Sequence, residues 1–315
     1  MKIENPFHPG ELQVQERVGV LNEGAQNARV IQDSIIKGAL RFISQQPMAV
    51  LGSLDHEQNV WASVMLGKPG FMRAEEERTV TFDLTTMAHN PHDPFWENIK
   101  SHPEVGMLVI ELASRRRLRV NGKIMRESDA VLRLQVDESY PNCPKYIQRR
   151  QVTANLVGTD QPTLTVERGD ALGPEQRAVI TKADTLFVAS VHPERGVDAS
   201  HRGGNPGFVT IVDDRTLRIP DYKGNCMFNT FGNFVVNPRA GLIFVDFELQ
   251  RTLQLTGRTE ILWEVDDPHS ESGGTNRYWQ FYVDRWLEIA YAHQLKWSFL
   301  DYSPHNPPVR NSSEA

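Results

Sequence analysis

The sequence predicts a mainly β fold with flanking helices, in which one β unit occurs twice. Three observations carry this. Short apolar, β-branched runs are broken by turn residues, two stretches of chain run in step, and no low-complexity linker parts the halves, so the units are expected to pack together.

The repeat is read by direct comparison. Ala49-Val50-Leu51-Gly52-Ser53, then Ala62-Ser63, then Gly67-Lys68-Pro69-Gly70-Phe71, is answered by Leu186-Phe187-Val188-Ala189-Ser190, Ala199-Ser200 and Gly204-Asn205-Pro206-Gly207-Phe208, at a constant offset of 137. Farther on, His102-Pro103-Glu104-Val105-Gly106 is answered by Asn237-Pro238-Arg239-Ala240-Gly241, and Gly122 by Gly257, at an offset of 135. A change of two residues between matched blocks is what duplication followed by loop drift leaves. Two unrelated β domains would not both keep a proline-to-glycine separation of 19 positions.

The elements follow in order. Residues 1–37 form an N-terminal segment and helix, the apolar residues Val30, Ile31, Ile35, Leu40 and Ile43 recurring at helical spacing over 27–46. The first repeat occupies 38–130. Residues 131–180 are expected to be a connecting helical segment, with a turn at Pro141-Asn142-Cys143-Pro144 and a short helix through Tyr146 to Arg150. The second repeat, 181–265, holds strand-like runs at Phe208 to Val212, Gly241 to Phe247 and Thr252 to Thr256. Trp279, Val283, Trp286, Leu287 and Ala290 suggest a packing helix over 276–297, within the C-terminal helix and tail of 266–315.

Bulk properties narrow the function. The 315 residues, 39% hydrophobic and 23% charged, suffice for two packed domains. A net charge of −6 gives no electrostatic reason to bind nucleic acid. Cys143 and Cys226 form no CxxC pair and suggest reduced, cytosolic thiols. Met1 to Pro6 lack the apolar region of a signal peptide, and no stretch approaches about 20 uncharged apolar residues. A cytoplasmic protein with no membrane partner is the expectation.

Chemistry is expected in the second copy. The run Arg202-Gly203-Gly204-Asn205-Pro206-Gly207 lacks the glycine spacing and following helix of a dinucleotide or P-loop fingerprint. It reads instead as a turn that lets the backbone at Gly203 approach a ligand, flanked by Ser200, His201 and Arg202 as donors. The first copy keeps Ser63 but has Val64 and Met65 where His201 and Arg202 stand. The shared glycines and prolines are therefore scaffold, and Arg202 points to an anion. In the next loop Lys223, Asn225, Asn229, Thr230 and Asn233 offer a point charge, amides and a hydroxyl for a phosphate and a ring edge.

Three other groups are weaker. His89 and His92 lie three apart without Cys or Glu partners and read as solvated rather than metal-binding. Arg115-Arg116-Arg117 is either a solvated strand end or a contact for an anionic substrate. His8-Pro9-Gly10-Glu11 is either a turn or a lid.

Through Ser200-His201-Arg202, the strand from Phe208, the Asn237 to Phe244 block, and Gln250-Arg251 to Gly257-Arg258, residues 183–263 resemble the pyridoxamine 5′-phosphate oxidase-related FMN-binding split barrels. Residues 38–130 resemble them more weakly. Lys223-Gly224-Asn225 and Phe228 to Asn233 are closer to the flavin-nucleotide-binding branch than to the vitamin B6 oxidase. The resemblance implies two tandem split β-barrels of Greek-key type, an FMN cofactor, and Arg202 at the phosphate or ribityl chain with Lys223, Asn229 and Thr230 nearby. Where the true oxidase has an Arg-Lys pair this chain has Asn229-Thr230, which speaks against a pyridoxamine phosphate substrate. Such barrels pair around the flavin, so either the two copies pair within the chain or the chain forms a homodimer.

The implied function is an FMN-dependent oxidoreductase acting on a small molecule, reduced by a nicotinamide cofactor or a separate reductase. In that chemistry the flavin reacts and the protein orients it, so no catalytic acid or base is required. A non-catalytic carrier of flavin, deazaflavin or haem is the alternative, and a degenerate structural barrel is a third.

Overall fold

The computed structural model describes residues 6–88, 90–155, 165–290 and 295–309. His89 and the N-terminal residues Met1 to Asn5 therefore lie outside the described residues.

Three helices open the chain: α1 (Pro9–Val18), α2 (Leu21–Asn27) and α3 (Lys37–Gln45). The first unit continues with β1 (Met48–Leu54), β2 (Val60–Leu66), β3 (Met72–Glu76), β4 (Thr79–Asp83), α4 (Phe95–Ser101), β5 (Glu104–Glu111), β6 (Arg116–Arg126) and β7 (Val131–Pro141). Next come β8 (Arg149–Asn155), β9 (Val166–Gly169) and α5 (Pro174–Lys182). The second unit comprises β10 (Thr185–His192), β11 (Gly196–Gly203), β12 (Thr210–Ile211), β13 (Thr216–Pro220), α6 (Asn229–Val236), β14 (Arg239–Asp246), β15 (Arg251–Leu262) and β16 (Tyr278–Ala290), and β17 (Leu295–Asp301) pairs with β8.

The duplication is plain in the sheets. The first runs β2-β1-β5-β6-β7-β4-β3 and the second β11-β10-β14-β15-β16-β13-β12, the same order strand for strand, with β9 added beside β16. This open antiparallel path, repeated, fits tandem split barrels. Even the irregularities repeat: β7 is bulged at Asp137, opposite Asn121 and Gly122 of β6, and β16 is bulged at Asp284, opposite Thr256 and Gly257 of β15. A Cβ at Gly122 or Gly257 would lie 1.9 or 2.0 Å from a carbonyl oxygen of the neighbouring strand, so both bulges require glycine.

Each unit has its own core, around Phe71, Phe82 and Phe95 in the first and Phe231, Trp279 and Phe281 in the second. A third apolar layer, including Val50, Val64, Leu108, Phe187, Ala199 and Ile243, lies between them. Here the backbones cross closely and symmetrically. A Cβ at Gly106 would sit 2.5 Å from the Cα of Asp198, and one at the matched Gly241 would sit 2.8 Å from the Cα of Trp61, which is the residue matched to Asp198. The two units thus pair within one chain.

Several expectations are corrected. The helix over 276–297 is strand: Tyr278 to Ala290 form β16, antiparallel to β15. Its buried residues alternate at 279, 281 and 283, after which the bulge at Asp284 shifts the inward phase, producing a false helical spacing. Residues 27–46 are not one helix, because Gln32 bridges Ser139 and the Ile35 amide donates to the Glu77 carbonyl, which separates the end of α2 and a 3-10 turn at Ala28–Val30 from α3. The Tyr146 to Arg150 helix is absent: Tyr146 has φ +65° and Arg149 begins β8. The 131–180 segment holds β7, β8 and β9 besides α5, so the first sheet takes in strands beyond residue 130 and the second beyond 265. Of Phe208 to Val212, only Thr210 and Ile211 are strand. Among the described residues no helix is long and apolar enough to cross a membrane.

Candidate functional site

A cleft with a cavity of about 100 Å³ opens where the second unit meets β6 and the Asn142 to Tyr146 loop of the first. Strand β11 presents His201, Arg202 and Gly203 to it, and the N-terminal turn of α6 presents Asn229 and Thr230. Ser200 stands behind this wall, its Oγ 3.1 Å from the Thr230 Oγ1, locking strand to helix. The first unit supplies Arg117 and Arg119, two residues apart on β6 and therefore on one face, with Lys145 from the loop beyond.

Four cations thus border one small cleft in which Asp221 is the lone carboxylate, and Asp221 is already held by Arg277 at 3.0 Å. Burial disfavours charge on Arg202 and Arg117, lowering both, Arg117 to about 10. For Arg119 burial acts the same way, but Asp198 and Tyr140 outweigh it and hold the guanidinium above its ordinary value. Its Nη1 lies 2.5 Å from Asp198 Oδ2 and 3.1 Å from the Tyr140 hydroxyl.

Much of the cleft's hydrogen-bonding capacity is unused. His201 is 3% exposed, and neither ring nitrogen has a partner among the described residues. Burial, then the Arg117 and Arg202 charges, push its pKa well below the ordinary value, so the ring is neutral. Arg202 Nε, Arg119 Nε, Asn142 Oδ1 and the Tyr222 hydroxyl are likewise buried and unpartnered. Buried polar groups are rarely left so, and this many facing one cleft point to a polar, anionic occupant.

The expected residues divide. Ser200, His201, Arg202, Gly203, Asn225, Asn229 and Thr230 come together at or directly behind the cleft, though Asn225 Oδ1 already accepts from the Met227 amide. Lys223 does not join them: its side chain is exposed, and its carbonyl accepts from the Tyr146 hydroxyl at 3.0 Å. Asn233 is used up in bracing α6, between Ser190 Oγ at 2.9 Å and His8 Nε2 at 3.1 Å. Sequence reasoning missed Arg119, Lys145 and Tyr222, and left Arg117 undecided. The alternation Arg117-Leu118-Arg119 on a strand is the signal that pairs the two arginines.

His8 and Glu11 form the capping box of α1 and grip α6, Glu11 accepting from Asn229. Gly10 and Gly232 let the two helices touch. These residues brace the cleft from outside rather than cover it. Among the described residues no group of His, Cys, Asp or Glu could hold a metal ion.

The corresponding place on the first unit is filled. Ser63 donates to Asp93 at 2.5 Å, and Gln254, which occupies the position of Arg119, donates to Ala62 O at 2.8 Å, Ser63 Oγ at 3.2 Å and Asp93 Oδ2 at 3.3 Å. Burial raises the Asp93 pKa to about 6. With Met65 in place of Arg202, this side carries no comparable cationic cluster among the described residues.

Comparison with known proteins agrees with the duplicated fold. The profile of the pyridoxamine 5′-phosphate oxidase family matches residues 36–152 and again 172–295, and the chain belongs to that family. No curated protein matches the chain. Among solved structures it is similar to HupZ of Group A Streptococcus (18% identity, covering 36% of this chain and 91% of that one, TM-score 0.30). It is also similar to an FAD-binding protein of Mesorhizobium loti (13%, 41% and 100%, 0.30). A third is a Clostridium acetobutylicum protein related to general stress protein 26 (12%, 40% and 92%, 0.27).

Proposed function

We propose that this chain is an FMN-binding flavoprotein that acts as an oxidoreductase on a small molecule. The observation that carries the reading is the convergence of Arg117, Arg119 and Arg202, from both units, on a cleft whose buried His201 ring nitrogens, Asn142 Oδ1 and Tyr222 hydroxyl lack partners among the described residues. A phosphate monoester answers the cations, and a heteroaromatic ring with carbonyl and imide edges answers the neutral donors and acceptors.

In this reading Arg202, Arg117 and Arg119 hold the phosphate, assisted by Lys145. His201 stays neutral and offers one donor and one acceptor, while Asn229 and Thr230 fix polar atoms at the start of α6. Phe208 and Tyr222 supply apolar wall. The bound flavin supplies the electron or hydride transfer, and the protein's part is to bind, orient and shield it. The chain lacks a dinucleotide fingerprint, so a transiently bound nicotinamide or a separate reductase delivers the electrons. Pairing of the two units within the chain takes the place of a homodimer.

The test is spectroscopic. Purified protein mixed with FMN and freed of excess retains flavin absorbance, which a reduced nicotinamide or a reductase bleaches and air restores. Protein that retains no flavin contradicts the reading. Retained flavin that neither donor reduces reassigns the protein to flavin carriage.

A further inference from the structure

Beyond the cleft, on the far side of the Arg119, Asp198 and Tyr140 cluster, lies a larger cavity of about 550 Å³ walled by both units and by α1. Its electrostatics are the reverse of the cleft's. Among the described residues Glu11, Glu104, Asp137, Glu138, Glu194 and Asp198 line it, against Lys123 and Arg195, with Arg119 paired to Asp198 from behind and Glu11 raised by burial to about 7. Its inner histidines do not redress the balance. Burial, then the neighbouring His192, lowers His8 to about 4, and burial lowers His192 as well.

An acidic lining alone is an ordinary solvated surface. The independent sign of a ligand is Asn121. Its side chain is 8% exposed and lines the cavity, its Nδ2 donates to Asp198 Oδ1 at 3.2 Å, and its Oδ1 has no partner among the described residues. The unmet group is an acceptor beside a carboxylate, so it calls for a donor, preferably a charged one. A bare metal ion does not fit, since these carboxylates are spread along the wall and form no metal-binding group among the described residues. An extended molecule with separated donors does.

We infer that this cavity is a second binding site, for a small organic cation carrying ammonium groups. The site adjoins the flavin cleft, sharing Asn229 with it, and stands whether or not flavin binds there. Charge complementarity selects the class, and Asn121 Oδ1 with Glu138 forms the inner end. Glu138 is tied at 2.9 Å to Arg195, which an ammonium group would replace or join.

Calorimetric titration with 1,4-diaminobutane tests this, with succinate as the control of like length and opposite charge. The diamine binds flavin-free and FMN-loaded protein alike, and succinate gives no binding. Glu138→Gln weakens the diamine about ten-fold and Asp137→Asn, at an exposed position, about three-fold. FMN affinity is unchanged in both. Absence of diamine binding, equal binding of succinate, insensitivity to both substitutions, or displacement of the diamine by FMN each overturns the assignment.

Discussion

Arg119 of the first unit and Asp198 of the second meet at 2.5 Å, both more than nine-tenths buried, in the wall between the basic cleft and the acidic cavity. The pair ties the units together and places Arg119 where it faces the cleft. A buried ion pair contributes little net stability against apolar replacement, yet removing one partner strands the other charge. Asp198→Ala therefore lowers stability by about 3–5 kcal/mol in denaturant unfolding. The double variant Asp198→Ala with Arg119→Met loses less than the two single variants together.

Loss of one charge-assisted contact to a phosphate costs about 1.5–3 kcal/mol, or about 10- to 100-fold in affinity. Arg202→Ala weakens FMN by that factor in a fluorescence titration. Lys223→Ala, whose side chain is exposed outside the cleft, changes FMN affinity by less than about two-fold.

The contrast between these two residues shows what the sequence could and could not reveal. Comparing copies exposed Arg202 and His201, because a duplicated scaffold holds its backbone constant and lets side-chain chemistry stand out. Lys223 differed between copies too, but spacing in a loop does not encode which way a side chain points. Asn229 and Asn233 lie four apart on α6 and both reach toward α1, a relation hidden while the segment was read as loop. The arginines of β6 were legible only as a run of charge, since which unit's wall they complete depends on how the two sheets cross. The strand β16 was misread because a bulge broke its period of two.

The filled side of the pseudo-symmetric pair sets a pH dependence. The Asp93 carboxyl, ordinarily near 3.8, is raised by burial to about 6 in the fold, so the folded state holds its proton more tightly than the unfolded chain does. Its contribution is full below about pH 4 and is lost as pH rises through 6, a change of about 3 kcal/mol at most. Asp93→Asn flattens this part of the profile in unfolding titrations between pH 4 and 7. Glu11, raised by burial to about 7, adds a slope that persists to higher pH.

The central claim is that one cleft, built by both units, holds one flavin per chain. Fluorescence titration of wild-type, Arg117→Ala and Arg202→Ala proteins with FMN tests it most directly. The expected result is one FMN per chain, weakened about ten-fold or more by either substitution, although the two residues come from different units. Two FMN per chain, or an affinity untouched by Arg117→Ala, would contradict it.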